Sequence, residues 1–427
     1  MNFVADLHIH SRFSRATSKE ITVENLAKWA QIKGITVLGT GDFTHPGWLK
    51  ELKTELEPAE PGLFKLKDKN RRLKDNGFAV DLSSPRFLLT TEISCIYTKK
   101  NRVRKIHLLI LAPSFQSVEK ITARLEWIGN LKADGRPILG LDAKELLKIA
   151  LETSPACLVV PCHAWTPWFS IFGSKSGFDS IPDCFDEHFK YIYAIETGLS
   201  SSPDMNWRLS GLDRVALISN SDSHSCQKIG REANVFNTEV SFPAIVEAIK
   251  SKDPQKFLST VEFFPEEGKY HYDGHRLCNV SLSPQETKKT AGLCPVCGKP
   301  LTIGVLSRVE ELADRPIGFK PTGAIPFKSL VPLEEVIAEA LGVLPGAKQV
   351  SFEYQNLIKK VGNEFKVLLE ASEQELNEAT LPEIATAIKR VREGQVAVEP
   401  GYDGVYGKVK IFGQGEQKAV SKQKTLF

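Results

Sequence analysis

Short apolar runs recur along the first half of the chain, and most of them stop shortly before a side chain that can bind a metal ion. The first run leads into Asp6-Leu7-His8-Ile9-His10, near the start of the chain. The later runs start at positions 36, 87, 158 and 216, and the polar groups that follow them are Gly41-Asp42, Thr91-Glu92, Cys162-His163 and Ser221-Asp222-Ser223-His224. Short apolar runs of this kind predict buried strands. Polar residues gathered at the C-terminal ends of parallel strands are typical of a barrel active site.

Two of these residues carry the clearest geometric signal. His8 and His10 are two positions apart, so on a strand they point to the same side and both imidazoles can bind one ion. His107 precedes an apolar run instead of following one. The ordered set as a whole predicts a metal site.

The order of these residues resembles the PHP family, the polymerase and histidinol phosphatase superfamily of metal-dependent phosphoesterases, over about residues 1–235. The resemblance implies an α/β fold built on a distorted (β/α)7 barrel. It also implies three ligand sets, which are His8, His10, Glu92 and Asp222 for one ion, Glu92, His107 and His163 for a second, and His224 for a third. Glu92 would bridge the first two ions.

One departure from the family pattern concerns the third ion. Where many members read Thr-Asp-His, this chain reads Gly41-Asp42-Phe43 and so lacks one imidazole. Asp42 or His45 is the candidate replacement. The candidate catalytic residues are Glu92, Asp222 and Asp42.

Carboxylate and imidazole ligands suit zinc, with manganese as the alternative. A bound metal lowers the pKa of water from about 15.7 to roughly 7, which supplies hydroxide at neutral pH. Two or three adjacent ions predict phosphoester hydrolysis, without indicating which ester is the substrate.

The composition changes this picture little. A chain of 427 residues predicts two or three domains, and 42% apolar residues is ordinary for a globular protein. There is no 18-residue apolar run, so no membrane span is expected. Met1-Asn2-Phe3 leads directly into the metal motif, which predicts no signal peptide. Cysteines that are predicted to be free thiols indicate a reducing, cytoplasmic location. A net charge of +3 is too small to predict a polyanionic partner from charge alone.

The cysteines divide into two groups. Five are scattered through the first domain beside apolar segments and are predicted to be buried free thiols. The others form a cluster in which His275 and Cys278 are followed, after fifteen residues, by Cys294 and Cys297. This is the spacing of a zinc ribbon, and four closed ligands predict a structural zinc. His271 competes with His275 for the fourth ligand position, and His275 is preferred because its two-residue gap to Cys278 matches the gap between Cys294 and Cys297.

A basic segment lies between two predicted strands and leads to His107. It contains Lys99, Lys100 and Arg102, and we predict a hairpin tip that binds DNA phosphates next to the metal site. The alternative is an ordinary solvated surface. An aromatic loop at 163–172 is predicted to be either a lid or stacking platform or a part of the core.

The domain boundaries follow from these features. We predict a PHP metallophosphoesterase domain at 1–260, a zinc-binding module at 261–312, a helical DNA-binding domain at 313–412 and a disordered tail at 413–427. Helical patterns at 333–341, 352–361 and 373–391 support the third unit. The tail contains Gln423, Leu426 and Phe427, which resemble the short peptides that bind sliding clamps.

The order of the whole chain resembles the endonuclease Q family of DNA-repair nucleases. The segments that carry the resemblance are Gly41-Asp42-Phe43-Thr44-His45-Pro46, Tyr270-His271-Tyr272-Asp273-Gly274-His275-Arg276-Leu277-Cys278 and Val309-Glu310-Glu311-Leu312-Ala313-Asp314-Arg315. The resemblance implies cleavage of DNA 5′ of uracil, hypoxanthine, xanthine and abasic sites. The alternatives are a small-molecule phosphatase of the histidinol-phosphate type and a non-enzymatic zinc-ribbon protein that binds nucleic acid.

Overall fold

The computed structural model describes residues 2–67, 72–75, 78–81 and 84–413, with the backbone alone at 72–75 and 78–81. The clamp-like peptide with Gln423, Leu426 and Phe427 lies outside the described residues. Within the described ranges, every helix is too short or too polar to cross a membrane.

The secondary structure mixes short strands and helices. The strands are β1 (Asn2–Asp6), β2 (Val37–Gly39), β3 (Leu56–Pro58), β4 (Phe64–Leu66), β5 (Arg72–Asp75), β6 (Phe78–Asp81), β7 (Arg86–Lys99), β8 (Arg102–Ala112), β9 (Ile138–Leu139), β10 (Leu158–Pro161), β11 (Ala194–Glu196), β12 (Ala216–Ile218), β13 (Ala233–Asn237), β14 (Phe257–Glu262), β15 (Asp273–His275), β16 (Val280–Leu282), β17 (Phe327–Ser329), β18 (Ala397–Glu399) and β19 (Lys408–Lys410). The helices are α1 (Val23–Lys33), α2 (Pro46–Glu55), α3 (Phe115–Glu126), α4 (Ala143–Thr153), α5 (Ile181–Phe185), α6 (Pro203–Asn206), α7 (Phe242–Ser251), α8 (Pro284–Lys289), α9 (Val305–Leu312), α10 (Leu333–Leu341), α11 (Lys348–Val361), α12 (Glu373–Ala379) and α13 (Pro382–Arg392), with a π-helical turn at Lys366–Glu370.

The predicted distorted (β/α)7 barrel is confirmed. Its ring contains β1, β2, β7, β8, β10, β11 and β12. Neighbours β1, β2 and β7 pair in parallel, as do β11 and β12. The ring closes where the N–H of Ala164 donates to the carbonyl of Glu196 and the N–H of His10 donates to the carbonyl of Ser223, each at 2.9 Å.

The distortion of the barrel comes from β8, which is antiparallel to both β7 and β10. Its barrel portion therefore begins at the end where the parallel strands finish. This reversal explains why His107 precedes its apolar run while the other site residues follow theirs.

Alternate strand residues belong to two separate apolar cores. Leu38, Leu108 and Val159 pack with the apolar faces of helices such as α1, α3 and α4 on the outside of the barrel. Their neighbours Leu109 and Val160 belong to a second cluster, which fills the interior. This alternation follows from the two-residue period of a strand and fixes which polar side chains point inward at the strand ends.

The second half of the chain is attached to the barrel at several points. Strand β13 pairs with β1, β14 with β13, and β17 extends the same sheet beside β14. Helices α10 to α13 pack together, and Glu364 after α11 forms a buried ion pair with Lys33 of α1 at 2.6 Å. Loss of one partner of a buried ion pair leaves the other charge buried and unpaired, which is costly. The pair of Lys33 and Glu364 therefore helps to fix the position of the helical region on the barrel.

Candidate metal centre

The first predicted ligand group comes together at one end of the barrel. Nε2 of His10 lies 3.0 Å from Oδ1 of Asp222 and 3.2 Å from Oε2 of Glu92. Nε2 of His8 lies 3.7 Å from both of these oxygen atoms. His8, His10 and Glu92 are buried, while the side chain of Asp222 is 19% exposed, so the group is open to solvent on the side of Asp222.

Glu92 also belongs to the second predicted ligand group. Its Oε1 lies 2.7 Å from Nδ1 of His107 and 3.1 Å from Nε2 of His163, which are themselves 3.2 Å apart. The two oxygens of one carboxylate therefore face different imidazole sets. This is the geometry expected of a bridging ligand between two ions.

The donor atoms are placed to bind metal ions and do not satisfy one another by hydrogen bonds. Nε2 of His8, Nε2 of His10 and Oδ1 of Asp222 are buried and lack a hydrogen-bond partner within the described part of the chain. Buried polar atoms normally have partners. Burial lowers the pKa of His107 to about 4, so its imidazole is neutral at pH 7 with a lone pair available. The residues therefore support metal binding.

The charge state of the two acids suits this role. Burial by itself raises the pKa of Glu92, but its interactions with the His107 ring and with the guanidinium of Arg136 outweigh burial and hold that pKa well below its usual range. Burial likewise raises the pKa of Asp222, but the close approach of the His10 ring and the nearby His8 lower it overall. Both side chains are carboxylates at neutral pH.

Glu196 supports the site and was missed by the sequence analysis. Its carboxylate lies 3.0 Å from Nδ1 of His8 and accepts hydrogen bonds from the N–H of His163 and from Nδ2 of Asn220, each at 2.9 Å. When Nδ1 of His8 carries the proton, Nε2 presents its lone pair to the ion. A signal was present, because Glu196 follows the inward-facing Ala194 by two positions on β11.

Asp42 plays the matching part for His10. Its Oδ1 lies 3.0 Å from Nδ1 of His10, and its Oδ2 accepts from the N–H of Ser11 at 2.7 Å and from the hydroxyl of Ser14 at 2.8 Å. The residue predicted to be catalytic or to complete a third site thus lies behind His10 and orients its ring.

The residues predicted for a third ion are not brought together as a ligand set among the described residues. Nδ1 of His224 lies 2.9 Å from the carbonyl of Asp222, and its ring lies 4.6 Å from that of His10. His45 stacks on Phe13 at 4.2 Å.

Three residues of the site have a strained backbone. Asp42, His163 and Asp222 all have positive φ, at 49°, 28° and 45°. Such conformations cost of order 1–3 kcal/mol for residues other than glycine and persist where the surroundings impose them. A Cβ on Gly198 would lie 2.5 Å from Cα of His163, so this approach requires glycine.

Arg136 is a second residue that the sequence did not indicate. Its Nη1 donates to Oε2 of Glu92 at 3.1 Å, and its side chain is 27% exposed. It reaches the site from a loop between α3 and β9, where no regular pattern points inward.

The structure places His275, and not His271, beside the three clustered thiols. Donor atoms of His275, Cys278, Cys294 and Cys297 all lie within 4.8 Å of one another. Burial raises the pKa of the Cys294 thiol, but hydrogen bonds from the backbone N–H groups of Cys297 and Val296 outweigh it and lower that pKa to about 6. A thiolate at neutral pH is what a zinc ligand requires.

The predicted hairpin tip is present between β7 and β8, and two of its cations have partners. Nζ of Lys99 lies 2.9 Å from Asp186, and Nζ of Lys100 lies 2.6 Å from Asp183. Arg102 is exposed at the start of β8. The tip therefore presents less unbalanced positive charge than its sequence indicates.

A cavity of about 370 Å³ opens beside the metal ligands. His107, His163 and Asp222 form one part of its wall. The other part contains Trp168, Phe169, Tyr270, His271 and Tyr406. His271 is 5% exposed, and burial lowers its pKa to about 4, so it is neutral at pH 7. The predicted aromatic loop thus contributes both to the core, through Trp165 and Phe172, and to the cavity.

Comparisons with known proteins cover most of the chain. Residues 332–395, which contain α10 to α13, match the family of the MJ0043 C-terminal domain. Protein MJ0043 of Methanocaldococcus jannaschii is 35% identical over 260 residues, which are 58% of this chain and only 31% of that relative. Protein YqxK of Bacillus subtilis is 29% identical over 421 residues, 95% of this chain and 98% of the relative.

Two solved structures are similar over nearly the full length. One is the lesion-specific endonuclease PfuEndoQ from Pyrococcus furiosus, with 31% identity, a TM-score of 0.82, and coverage of 96% of this chain and 95% of that chain. The other is endonuclease Q in complex with a 27-mer duplex that has an abasic lesion at the active site, with the same identity and TM-score over 96% and 97% of the two chains. On this full-length likeness in sequence and fold, the chain belongs to the endonuclease Q family.

Proposed function

We propose that this protein is a metal-dependent DNA endonuclease that hydrolyses the phosphodiester bond 5′ of deaminated bases and of abasic sites. The observation that carries the proposal is the position of Glu92, whose two carboxylate oxygens face two separate imidazole sets. Membership of the endonuclease Q family supports DNA as the substrate, since one family structure contains duplex DNA with an abasic lesion. Uracil, hypoxanthine and xanthine are proposed from the family resemblance.

The ions are proposed to be zinc, with manganese as the alternative, because the donors are imidazoles and carboxylates. His8, His10, Glu92 and Asp222 would hold one, and Glu92, His107 and His163 a second. His224 would take part in a third. Bound ions of this kind lower the pKa of water to roughly 7 and withdraw charge from phosphoryl oxygens.

The chain's own residues prepare the site for this chemistry. Glu196 and Asp42 hold the rings of His8 and His10 so that both Nε2 atoms converge. Arg136 contributes a positive charge against Glu92. We propose that this guanidinium also faces the scissile phosphate, since its side chain is partly exposed at the mouth of the site.

The cavity beside the ligands is proposed to take the lesion nucleotide. An enzyme that identifies a damaged base in a duplex has to remove it from the stack. The cavity offers aromatic surfaces from Trp168, Phe169 and Tyr270, and the neutral imidazole of His271 can hydrogen-bond to a base edge. Its volume of about 370 Å³ is in the range of small-ligand pockets.

Two further contacts are proposed from the sequence. Lys99, Lys100 and Arg102 would bind phosphates that flank the lesion, and the tail peptide with Leu426 and Phe427 would dock on a sliding clamp. The structural zinc would be held by His275 and the three clustered cysteines.

The test is a nicking assay on a labelled duplex with one uracil, or one abasic site, at a defined position. The wild type is expected to give a single product whose length places the cut 5′ of the lesion. Glu92→Gln and Asp222→Asn are expected to lose cleavage while keeping their circular dichroism spectra. Undamaged duplex is the substrate control. Release of phosphate from a simple monoester, with no nicking of either duplex, would instead favour a small-molecule phosphatase.

A further inference from the structure

Trp127 is more exposed than any other large apolar side chain in the described part of the chain, at 92%. It follows the last residue of α3 and precedes a loop at 128–137, which we call the rim loop. Ile138, which is 60% exposed, comes directly after this loop. Exposed apolar side chains that lie together often mark an interaction site, because their removal from water is favourable.

The rim loop lies against the metal centre. Arg136 in this loop reaches Glu92 at 3.1 Å. A Cβ on Gly135 would lie 2.2 Å from Oδ2 of Asp42, the residue that orients His10. The exposed apolar residues are therefore carried by the same segment that touches two site residues.

The two ends of the rim loop lie close together. A Cβ on Gly129 would lie 2.6 Å from Cδ2 of Leu139, next to Ile138 in the chain. Trp127 is two residues before Gly129, so Trp127 and Ile138 lie at the two ends of the rim loop, which meet here.

Hydrogen bonds hold this segment in place. The N–H groups of Ile128 and Gly129 donate to the carbonyl of Leu125 at 2.9 and 3.1 Å. The N–H of Ser94 on β7 donates to the carbonyl of Pro137 at 3.0 Å. Trp127 is thus presented by a fixed backbone, which lowers the entropic cost of binding through it.

The charges nearby are mixed, because the exposed Glu126 lies directly before Trp127. Arg15, with 86% of its side chain exposed, pairs with Asp134 of the rim loop at 3.4 Å. Lys132 is exposed in the same loop. The choice of nucleic acid therefore rests on the exposed indole, which can stack on a base, and on its loop, which touches the metal centre.

We propose that Trp127 and Ile138 form an apolar wedge that enters duplex DNA beside the lesion, and that Trp127 stacks on the base left unpaired opposite it. This inference rests on the proposed function and deepens it. Extrusion of a nucleotide leaves a gap in the base stack, and apolar side chains inserted between bases are a known way for proteins to stabilise distorted duplexes. A lesion in single-stranded DNA leaves no such gap.

The experiment compares Trp127→Ala with the wild type on the same uracil-containing oligonucleotide, single-stranded and annealed. The variant is expected to cut the duplex about tenfold or more slowly, the equivalent of about 1.4 kcal/mol, and to cut the single strand at the wild-type rate. Trp127→Phe should keep most duplex activity. Ile317→Ala is the matched control, since Ile317 is 75% exposed and follows Arg315, which pairs with Asp213 ahead of β12 at the other end of the barrel.

A second readout reports on the unpaired base. With 2-aminopurine opposite the lesion and a Glu92→Gln background that prevents cleavage, Trp127 should keep the fluorescence quenched on binding. Trp127→Ala should raise it. An equal loss of activity on both substrates, or no loss on either, overturns the wedge, and so does a change in oligomeric state without a duplex-specific defect. If the wild type cuts neither oligonucleotide, the proposed function itself fails.

Discussion

Nδ1 of His8 lies 3.0 Å from Oε1 of Glu196, on the side of the ring away from Glu92 and Asp222. Glu196 is fully buried and also accepts from Asn220, so it holds the ring in one orientation. A carboxylate that receives the Nδ1 proton fixes the tautomer and makes Nε2 a better ligand. The relationship repeats for Asp42 and His10, which gives both imidazoles of the His-x-His pair a carboxylate behind them.

Replacing Glu196 with Gln is therefore expected to weaken metal binding without removing any ligand. We expect the affinity for zinc at the barrel to fall about 10- to 100-fold, which is usual for the loss of a carboxylate behind a ligating His. Competition with a chelator, followed by metal analysis of the protein, measures this. Glu247→Gln, on the exposed side of α7, is the control. Equal zinc retention by both variants would contradict the role of Glu196.

The sequence indicated most of the site because strand periodicity is local. Glu92 and Asp222 each follow a short apolar run, and the inward side of a strand end is fixed by its two-residue period. The same rule applied to β11 would have found Glu196. The predicted hairpin between β7 and β8 also gave the direction of β8, because strands joined by a hairpin are antiparallel.

The parts that sequence reasoning did not reach depend on packing between distant segments. Arg136 arrives from an irregular loop, and the cavity joins Trp168 with Tyr270 and Tyr406, which are far apart in the chain. The sequence favoured His275 over His271 through its two-residue gap to Cys278, and the fold places His275 beside the three thiols. The net positive charge of the hairpin tip is also lower than its sequence suggests, because Asp183 and Asp186 from a distant segment pair with Lys100 and Lys99.

A buried acid behind the site predicts a pH-dependent stability. Burial raises the pKa of Glu262 from 4.5 to about 7, although hydroxyls of Thr197 and Ser219 donate to it at 2.8 and 3.1 Å. The folded state then keeps a proton that the unfolded state releases. The contribution of the protonated Glu262 to the free energy of unfolding is present below pH 4.5 and is lost as the pH rises through about 7.

Glu262→Gln, in which the amide resembles the protonated acid, is expected to keep its stability as the pH rises. The free energy of unfolding of the variant should exceed that of the wild type by about 3 kcal/mol above pH 8, and the two should converge below pH 4.5, since one pKa unit is worth about 1.36 kcal/mol. Urea unfolding of both zinc-loaded proteins across this range gives the difference. A gap that is constant with pH would show that Glu262 does not titrate in this window.

Cys294→Ser is expected to remove the zinc of the middle module. Since the thiolate of Cys294 is stabilised by two backbone N–H groups in a closed group of four donors, its loss should lower zinc content by one ion per chain and reduce solubility. Cys157→Ser, at a buried free thiol of the barrel, should keep full zinc content. A folded Cys294→Ser protein with full zinc content would refute a structural zinc at this group.

At the hairpin tip, replacing Lys99, Lys100 and Arg102 with Ala is expected to weaken binding to DNA of any sequence. Because Lys99 and Lys100 already pair with Asp186 and Asp183, we expect Arg102→Ala alone to account for most of the effect. It should reduce the slope of log affinity against log salt by about 1. Binding is measured over a salt series, with Lys256→Ala as the control. An unchanged slope in the triple variant would show that the tip does not touch phosphate.

Deletion of Leu426 and Phe427 is expected to abolish binding to a sliding clamp while leaving cleavage of lesion DNA intact. The peptide reads Gln423-Lys424-Thr425-Leu426-Phe427, in which the amide of Gln423 can hydrogen-bond at a groove edge and the last two side chains can fill an apolar pocket. Binding to the clamp of the same organism is measured by surface plasmon resonance, and nicking is measured without clamp. Deletion of Lys424 and Thr425 alone tests the spacing, because Gln423 and the apolar pair would then be adjacent and could not reach both sites. If the full-length chain shows no affinity for that clamp, the peptide has no docking role. If the deletion slows nicking in the absence of clamp, the peptide serves the active site instead.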